Sequence, residues 1–286
     1  MKPALFIILL TSISFSADTP AKKADAPAKK APAKKVYPKN PVPTAANVRY
    51  GPAERNVFDF WQAKSDTPAP LLFYIHGGGW MGGDKAGIAV EPFLKEGISV
   101  VSINYRYISQ AQDVVPPVKA PLTDAARALQ FVRSKAGEWN IDKTRIAASG
   151  GSAGACSSLW LAFHDDMADP KSSDPVARES TRLLTAAVNG PQTTLDPKQM
   201  REWTPNSRYG GHAFGKSNEF KNFDDFVAAR ERILPWIKNT RPALVTSDDP
   251  PVFCIQQRRH RSGAEGSTRN FGVKLPGALQ GQRREL

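Results

Sequence analysis

Gly150-Gly151-Ser152-Ala153-Gly154 follows a short apolar run, Arg145-Ile146-Ala147-Ala148-Ser149, and leads into a stretch of helical character from Ala155 to His164. A G-x-S-x-G sequence between a strand and a helix predicts a sharp turn that lifts the Ser152 hydroxyl out at the end of a sheet. The flanking glycines let strand and helix backbones approach closely, because no Cβ stands between them. Alone this is a weak signal, since loops rich in glycine, alanine and serine are common. A second stretch decides its reading.

That stretch is His76-Gly77-Gly78-Gly79-Trp80, which ends another strand-like run, Leu71-Leu72-Phe73-Tyr74-Ile75. Consecutive glycines after a buried strand leave backbone N–H groups free to face a ligand. Acyl transfer needs such donors where negative charge develops, and losing one costs roughly 10²–10³-fold in rate. A phosphate loop fits poorly: no Gly-Lys-Ser/Thr follows, and no G-x-G-x-x-G is completed.

Together and in this order, the two motifs resemble the α/β-hydrolase superfamily, in particular its hormone-sensitive-lipase-like and feruloyl-esterase-like branches, from about Asn56 to Ile255. The resemblance implies a secreted serine carboxylesterase in which Ser152 attacks an ester carbonyl and forms an acyl-enzyme that water releases. It implies an oxyanion hole built from the N–H groups of Gly78, Gly79 and Ala153. His76 is then expected to order its loop rather than act as a base, and Trp80 to pack near the pocket. No metal or organic cofactor is expected. The four histidines show no H-E-x-x-H spacing, and Cys156 and Cys254 are too few for a zinc cluster. Both cysteines read as buried thiols rather than a disulfide.

The ends of the chain differ from its middle. Met1-Lys2 and the apolar run Ala4–Leu10 read as a signal peptide over residues 1–16, with Ser14 and Ser16 as small residues before cleavage. The run is too short to span a bilayer, which takes about 20 residues. Export to the periplasm or beyond is expected, with no integral membrane segment after cleavage. Residues 17–45, with near-repeats of Ala-Pro-Ala-Lys-Lys, read as a disordered linker. The chain carries a net charge of +12, of which the linker holds +5, the tail from Gln257 another +5 and Lys2 +1. A nucleic-acid-binding domain would place its charge on a folded face, so that function is excluded.

The folded part, taken as residues 46–286, alternates strand and helix patterns. Asn56–Trp61 alternates as an outer strand does, whereas Leu71–Ile75 and Ile98–Tyr107 are continuous apolar runs suited to a sheet covered on both faces. Ala125, Ala128, Leu129, Val132 and Ala136 share one helical face, with Thr123 as the expected N-cap and Gly137 as the stop. Leu183–Val188 and Pro251–Ile255 read as two further strands. The fold class expected is α/β: a mostly parallel central sheet with helices on both faces. Between the last two strands, residues 189–249 form an insertion with an aromatic patch from Trp203 to Phe214 and a helix near Asp224–Arg232. The resemblance implies a small cap that shapes the acyl pocket.

The rest of a triad is harder to place. In this fold the acid follows the strand at Val252–Ile255 and the histidine comes later still. Asp248 and Asp249 precede that strand. After it come His260 and Glu265, in the inverse of the expected order, with Arg258, Arg259 and Arg261 disfavouring an imidazolium. His164 and His212 are weaker candidates. The region from about residue 257 therefore reads as atypical or incomplete, as a truncated or frame-shifted coding sequence would make it. Two function classes stay open: an esterase acting on a small-molecule or polysaccharide-linked ester, and a catalytically impaired domain that binds a ligand. A serine exopeptidase is a third.

Overall fold

The computed structural model describes residues 37–203, 210–214, 222–240 and 246–255. The signal-peptide and most of the linker assignments, and the residues from Gln256 on, lie outside them. Among the described residues, seven strands form one sheet: β1 (Ala45–Arg49), β2 (Val57–Trp61), β3 (Ala69–Ile75), β4 (Ser99–Ile103), β5 (Ile141–Gly151), β6 (Thr185–Asn189) and β7 (Val252–Ile255). The helices are α1 (Glu91–Lys95), α2 (Lys119–Ser134), α3 (Ala153–Phe163), α4 (Pro197–Trp203), α5 (Gly211–Phe214), α6 (Phe223–Ala228) and α7 (Arg230–Thr240). No described helix is long and apolar enough to cross a membrane.

The strand order is β1-β2-β4-β3-β5-β6-β7. β2 runs antiparallel to both neighbours, and β4, β3, β5, β6 and β7 are mutually parallel. The continuous apolar runs behave as a doubly covered sheet requires: all five residues of β4 are buried, as are Leu71, Leu72, Phe73 and Ile75 of β3.

Three expectations need correction. β2 is not an outer strand, because β1 pairs along its far side. Phe58 and Phe60 both meet Trp139, at 5.8 and 4.6 Å between ring centroids, and Asp59 between them is held by Lys85 Nζ at 2.5 Å. Second, α2 starts at Lys119, four residues before the expected cap. Pro121 sits in its first turn, where a missing N–H costs no helical bond, and Thr123 donates to Lys119 O inside the helix. Third, the linker ends before Ala45: Asn40 bonds Ile88 O and the Val90 N–H, and Trp61 Nε1 donates to Pro41 O.

Helices α4 to α7 lie between β6 and β7 in sequence, where the cap was expected. Their core is aromatic, with Phe226 packed on Phe214 at 5.9 Å and on Phe223 at 5.8 Å. Arg230 clasps both oxygens of buried Asp196 at 2.9 and 2.8 Å. Burial opposes ionisation of Asp196, but Arg230 and the Lys198 N–H outweigh it and hold the carboxyl below its usual range.

Helix α3 is buried along its whole length and seats its first turn directly on β3. A Cβ placed on Gly154 would lie 2.0 Å from Ile75 O and 2.7 Å from His76 O, both backbone atoms that cannot swing aside. Helix propensity alone favours alanine over glycine by about 1 kcal/mol. Overpacking costs about 1–3 kcal/mol or more, so the close contact decides the sign. Gly154→Ala is expected to lower the urea midpoint; an unchanged or raised midpoint would place α3 further from β3 than described.

Cys156, on the same helix, and half-buried Cys254 are both free thiols. Burial pushes the Cys156 thiol up to about 12, and burial raises Cys254 as well. The raised value means that the folded protein keeps Cys156 as a thiol up to alkaline pH, while the unfolded chain ionises near the ordinary cysteine value. At pH 8 a disulfide reagent should therefore spare Cys156 in the folded protein and react with it once denaturant is added. Rapid modification of Cys156 in the folded state would contradict its burial.

Candidate active site

Parallel pairing sets the site. On β5, Gly150 stands opposite Ile75 of β3, and Gly151 stands opposite Asn189 of β6. The next residue, Ser152, leaves the sheet at the C-terminal ends of these three strands. Its backbone lies at φ 53°, ψ −119°, a conformation that L-residues rarely hold and that costs of order 1–3 kcal/mol. Two hydrogen bonds fix it: Ser152 N–H donates to Asn189 O at 3.0 Å, and Cys156 N–H donates to Ser152 O at 3.0 Å. The side chain is exposed. Ala153 follows as the first residue of α3, and its N–H is among those at a helix start that have no intrahelical acceptor.

The His76–Trp80 loop lies against this turn. A Cβ on Gly77 would meet Gly151 O at 2.6 Å and Ser152 Cβ at 3.6 Å, so only glycine permits the approach. Gly78, Gly79 and Trp80 all have left-handed φ, at 109°, 63° and 57°. Trp80 is fully buried, and its indole N–H donates to Ser157 Oγ on α3 at 3.0 Å. That bond ties the loop to the helix that carries Ser152.

Behind the loop stands a polar shell. His76 is buried, its ring stacked on Tyr105 at 4.2 Å, with Nδ1 2.8 Å from Gly77 O and Nε2 3.5 Å from Arg55 Nη2. A carbonyl only accepts and a guanidinium only donates, so these partners assign the proton to Nδ1. Arg55 also donates to Tyr105 O and Gly83 O, and packs 3.9 Å from the Tyr107 ring centroid. Tyr105 OH donates to His76 O at 2.8 Å, and Tyr107 OH to Gly83 O at 2.5 Å. Further along, burial opposes the charge of Asp84, but the Ala86 N–H, Asn104 and Lys85 hold its carboxyl below the usual range. Asn104 Nδ2 donates to Asp84 and its Oδ1 accepts from Lys85 N–H.

The structure thus sets Ser152 beside Gly77, at the head of the loop that carries Gly78 and Gly79. His76 is bonded within the loop to Gly77 O and stacked on Tyr105. His164 lies elsewhere, at the far end of α3 about 18 Å along the helix axis, beside Trp160 at 4.6 Å. Asp248 and Asp249 precede β7 at the opposite edge of the sheet and pair with Arg182. His260 and Glu265 lie outside the described residues. His212 sits on α5 with Nε2 3.1 Å from Gly79 O. Sequence reasoning missed Arg55, Asn104, Tyr105 and Ser157, which join the loop through contacts remote in sequence; no local signal marks them.

Known proteins resemble this chain in sequence and fold. The BD-FAE family model matches residues 59–261, more than half of the chain. A probable carboxylic ester hydrolase, LipM, of Mycobacterium tuberculosis is 32% identical over 148 residues, covering 49% of this chain and 32% of that protein. Endo-1,4-beta-xylanase B of Butyrivibrio fibrisolvens is 30% identical over 129 residues, covering 43% of this chain and 20% of its own. The chain thus spans about a third or less of these two relatives. Among solved structures, the acetyl ester-xyloside bifunctional hydrolase of Caldicellulosiruptor lactoaceticus superposes with a TM-score of 0.51 at 27% identity, covering 69% of this chain and 65% of that one. A truncated carbohydrate esterase from gut microbiota shares the fold, with a TM-score of 0.56 at 20% identity and 79% of each chain covered. On the family match over most of the folded part, the chain belongs to the BD-FAE family of α/β-hydrolase esterases.

Proposed function

We propose that this chain hydrolyses carboxylic esters through an acyl-enzyme on Ser152. The observation that carries the reading is the Ser152 turn, held in a strained backbone against a loop of glycines. Ser152 Oγ attacks the ester carbonyl, and its proton passes to a base. The carbonyl oxygen takes up negative charge that the N–H groups of Gly78, Gly79 and Ala153 stabilise. Collapse expels the alcohol, and water then releases the acid. Beyond β7 the sequence offers His260 and Glu265 as the candidates for base and acid, with the arginines around His260 opposing its protonation.

The likeness to an endo-1,4-beta-xylanase and to an acetyl ester-xyloside bifunctional hydrolase supports an acyl group on a polysaccharide as the substrate. The apolar run at Ala4–Leu10 supports export, which would bring the enzyme to such a polymer. A second reading, a domain that binds an ester without turning it over, draws on one observation: His260 precedes Glu265, the inverse of the order this fold uses.

Hydrolysis of p-nitrophenyl acetate by the full chain, beside Ser152→Ala, separates the two. The esterase reading predicts a loss of at least about 10³-fold in kcat/KM on removing the nucleophile. Equal rates for the two proteins would overturn it.

A further inference from the structure

The four consecutive carbonyls of the glycine loop are all held. Gly77 O accepts from His76 Nδ1, Gly78 O from Met81 N–H at 3.0 Å, and Trp80 O from Ile108 N–H at 2.9 Å. A peptide unit is planar and trans, so fixing each C=O also fixes the N–H that follows it, pointing the other way. The first two bonds thereby aim the N–H groups of Gly78 and Gly79. These partners all lie within about 30 residues of the loop. The fourth carbonyl, Gly79 O, accepts from His212 Nε2 at 3.1 Å, and His212 is 133 residues away in the cap.

Gly79 has no side chain to brace it and sits at φ 63°, so both peptides that flank it need outside anchors. Met81 supplies one and His212 the other. His212 is itself moored: Val118 N–H donates to Ala213 O at 3.1 Å, and Phe214 stacks on Phe226 in the cap core. Its ring lies 6.2 Å from the buried Trp80 ring. Because Gly79 O only accepts, the proton must sit on Nε2. Burial lowers the His212 pKa, more than the bond to Gly79 raises it, so the ring is neutral at pH 7 and that one tautomer is selected.

We infer that His212 is a positioning residue: through its Nε2–H bond to Gly79 O it couples the cap to the loop that holds the oxyanion. The inference rests on the proposed role of Gly79, and it gives the cap a part in catalysis beyond shaping a pocket. A loosened donor costs less than one removed outright, so breaking the bond should lower kcat by about tenfold while leaving KM within about twofold.

Two conservative variants test it. In His212→Gln the side-chain amide reaches the place of Nε2 and keeps a donor there, whereas in His212→Asn it falls short. The measurements are p-nitrophenyl acetate kinetics and hydrogen–deuterium exchange of the 76–83 segment in the full chain. His212→Asn is expected to lose kcat and to speed exchange in that segment, and His212→Gln to restore both to near wild type. Exchange unchanged in His212→Asn, or equal effects in the two variants, would overturn the inference. Should the wild type show no turnover, the esterase reading fails, and the exchange measurement alone decides whether His212 orders the loop.

Discussion

The whole site depends on two backbones meeting without side chains between them. The register that sets Gly150 opposite Ile75 carries the chain from β5 into Ser152 just where β3 hands over to the glycine loop. A Cβ at Gly77 or Gly154 would fall within 2.6 Å of a carbonyl oxygen in the neighbouring segment. Loop, turn and α3 are therefore one close-packed unit, and the strain at Ser152 and Trp80 is paid for by the packing that surrounds them. Trp80 shows how: fully buried and bonded to Ser157, it uses a bulky residue at φ 57° to lock the loop onto the helix.

Electrostatics then decides which histidine does what. His76 opens the loop motif and stands close to Ser152 in the fold, yet Arg55 faces one ring nitrogen and Gly77 O the other. A base must pick up a proton and become cationic, and a neighbouring guanidinium opposes that. His212 is neutral and half-buried, with its proton committed to Gly79 O. These two rings hold peptides in place, one from within the loop and one from the cap.

Much of this was legible in the chain. Continuous apolar runs such as Leu71–Ile75 marked doubly covered strands, and the two glycine motifs marked where strand gives way to turn. What was not legible is what depends on distant partners. The β1 segment Ala-Ala-Asn-Val-Arg is short and weakly apolar, and becomes a strand by pairing with β2. The start of α2 was hidden by Pro121, which reads as a breaker but falls in the first turn. The shell of Arg55, Asn104, Tyr105 and Asp84 consists of ordinary polar residues whose work appears only once the sheet sets them beside the loop. His212 could be seen as a histidine in an aromatic, glycine-rich patch, but its partner is 133 positions away.

The central claim is that the turn and the loop present Ser152 as a nucleophile with a ready oxyanion site. Treatment of the full chain with an alkyl fluorophosphonate, followed by intact mass and peptide mapping, addresses this directly, because the reagent needs both parts. The account predicts one phosphonyl group per chain, on Ser152, and none in a sample unfolded before treatment. An unlabelled Ser152 in the folded protein, or equal labelling of other serines, would contradict it.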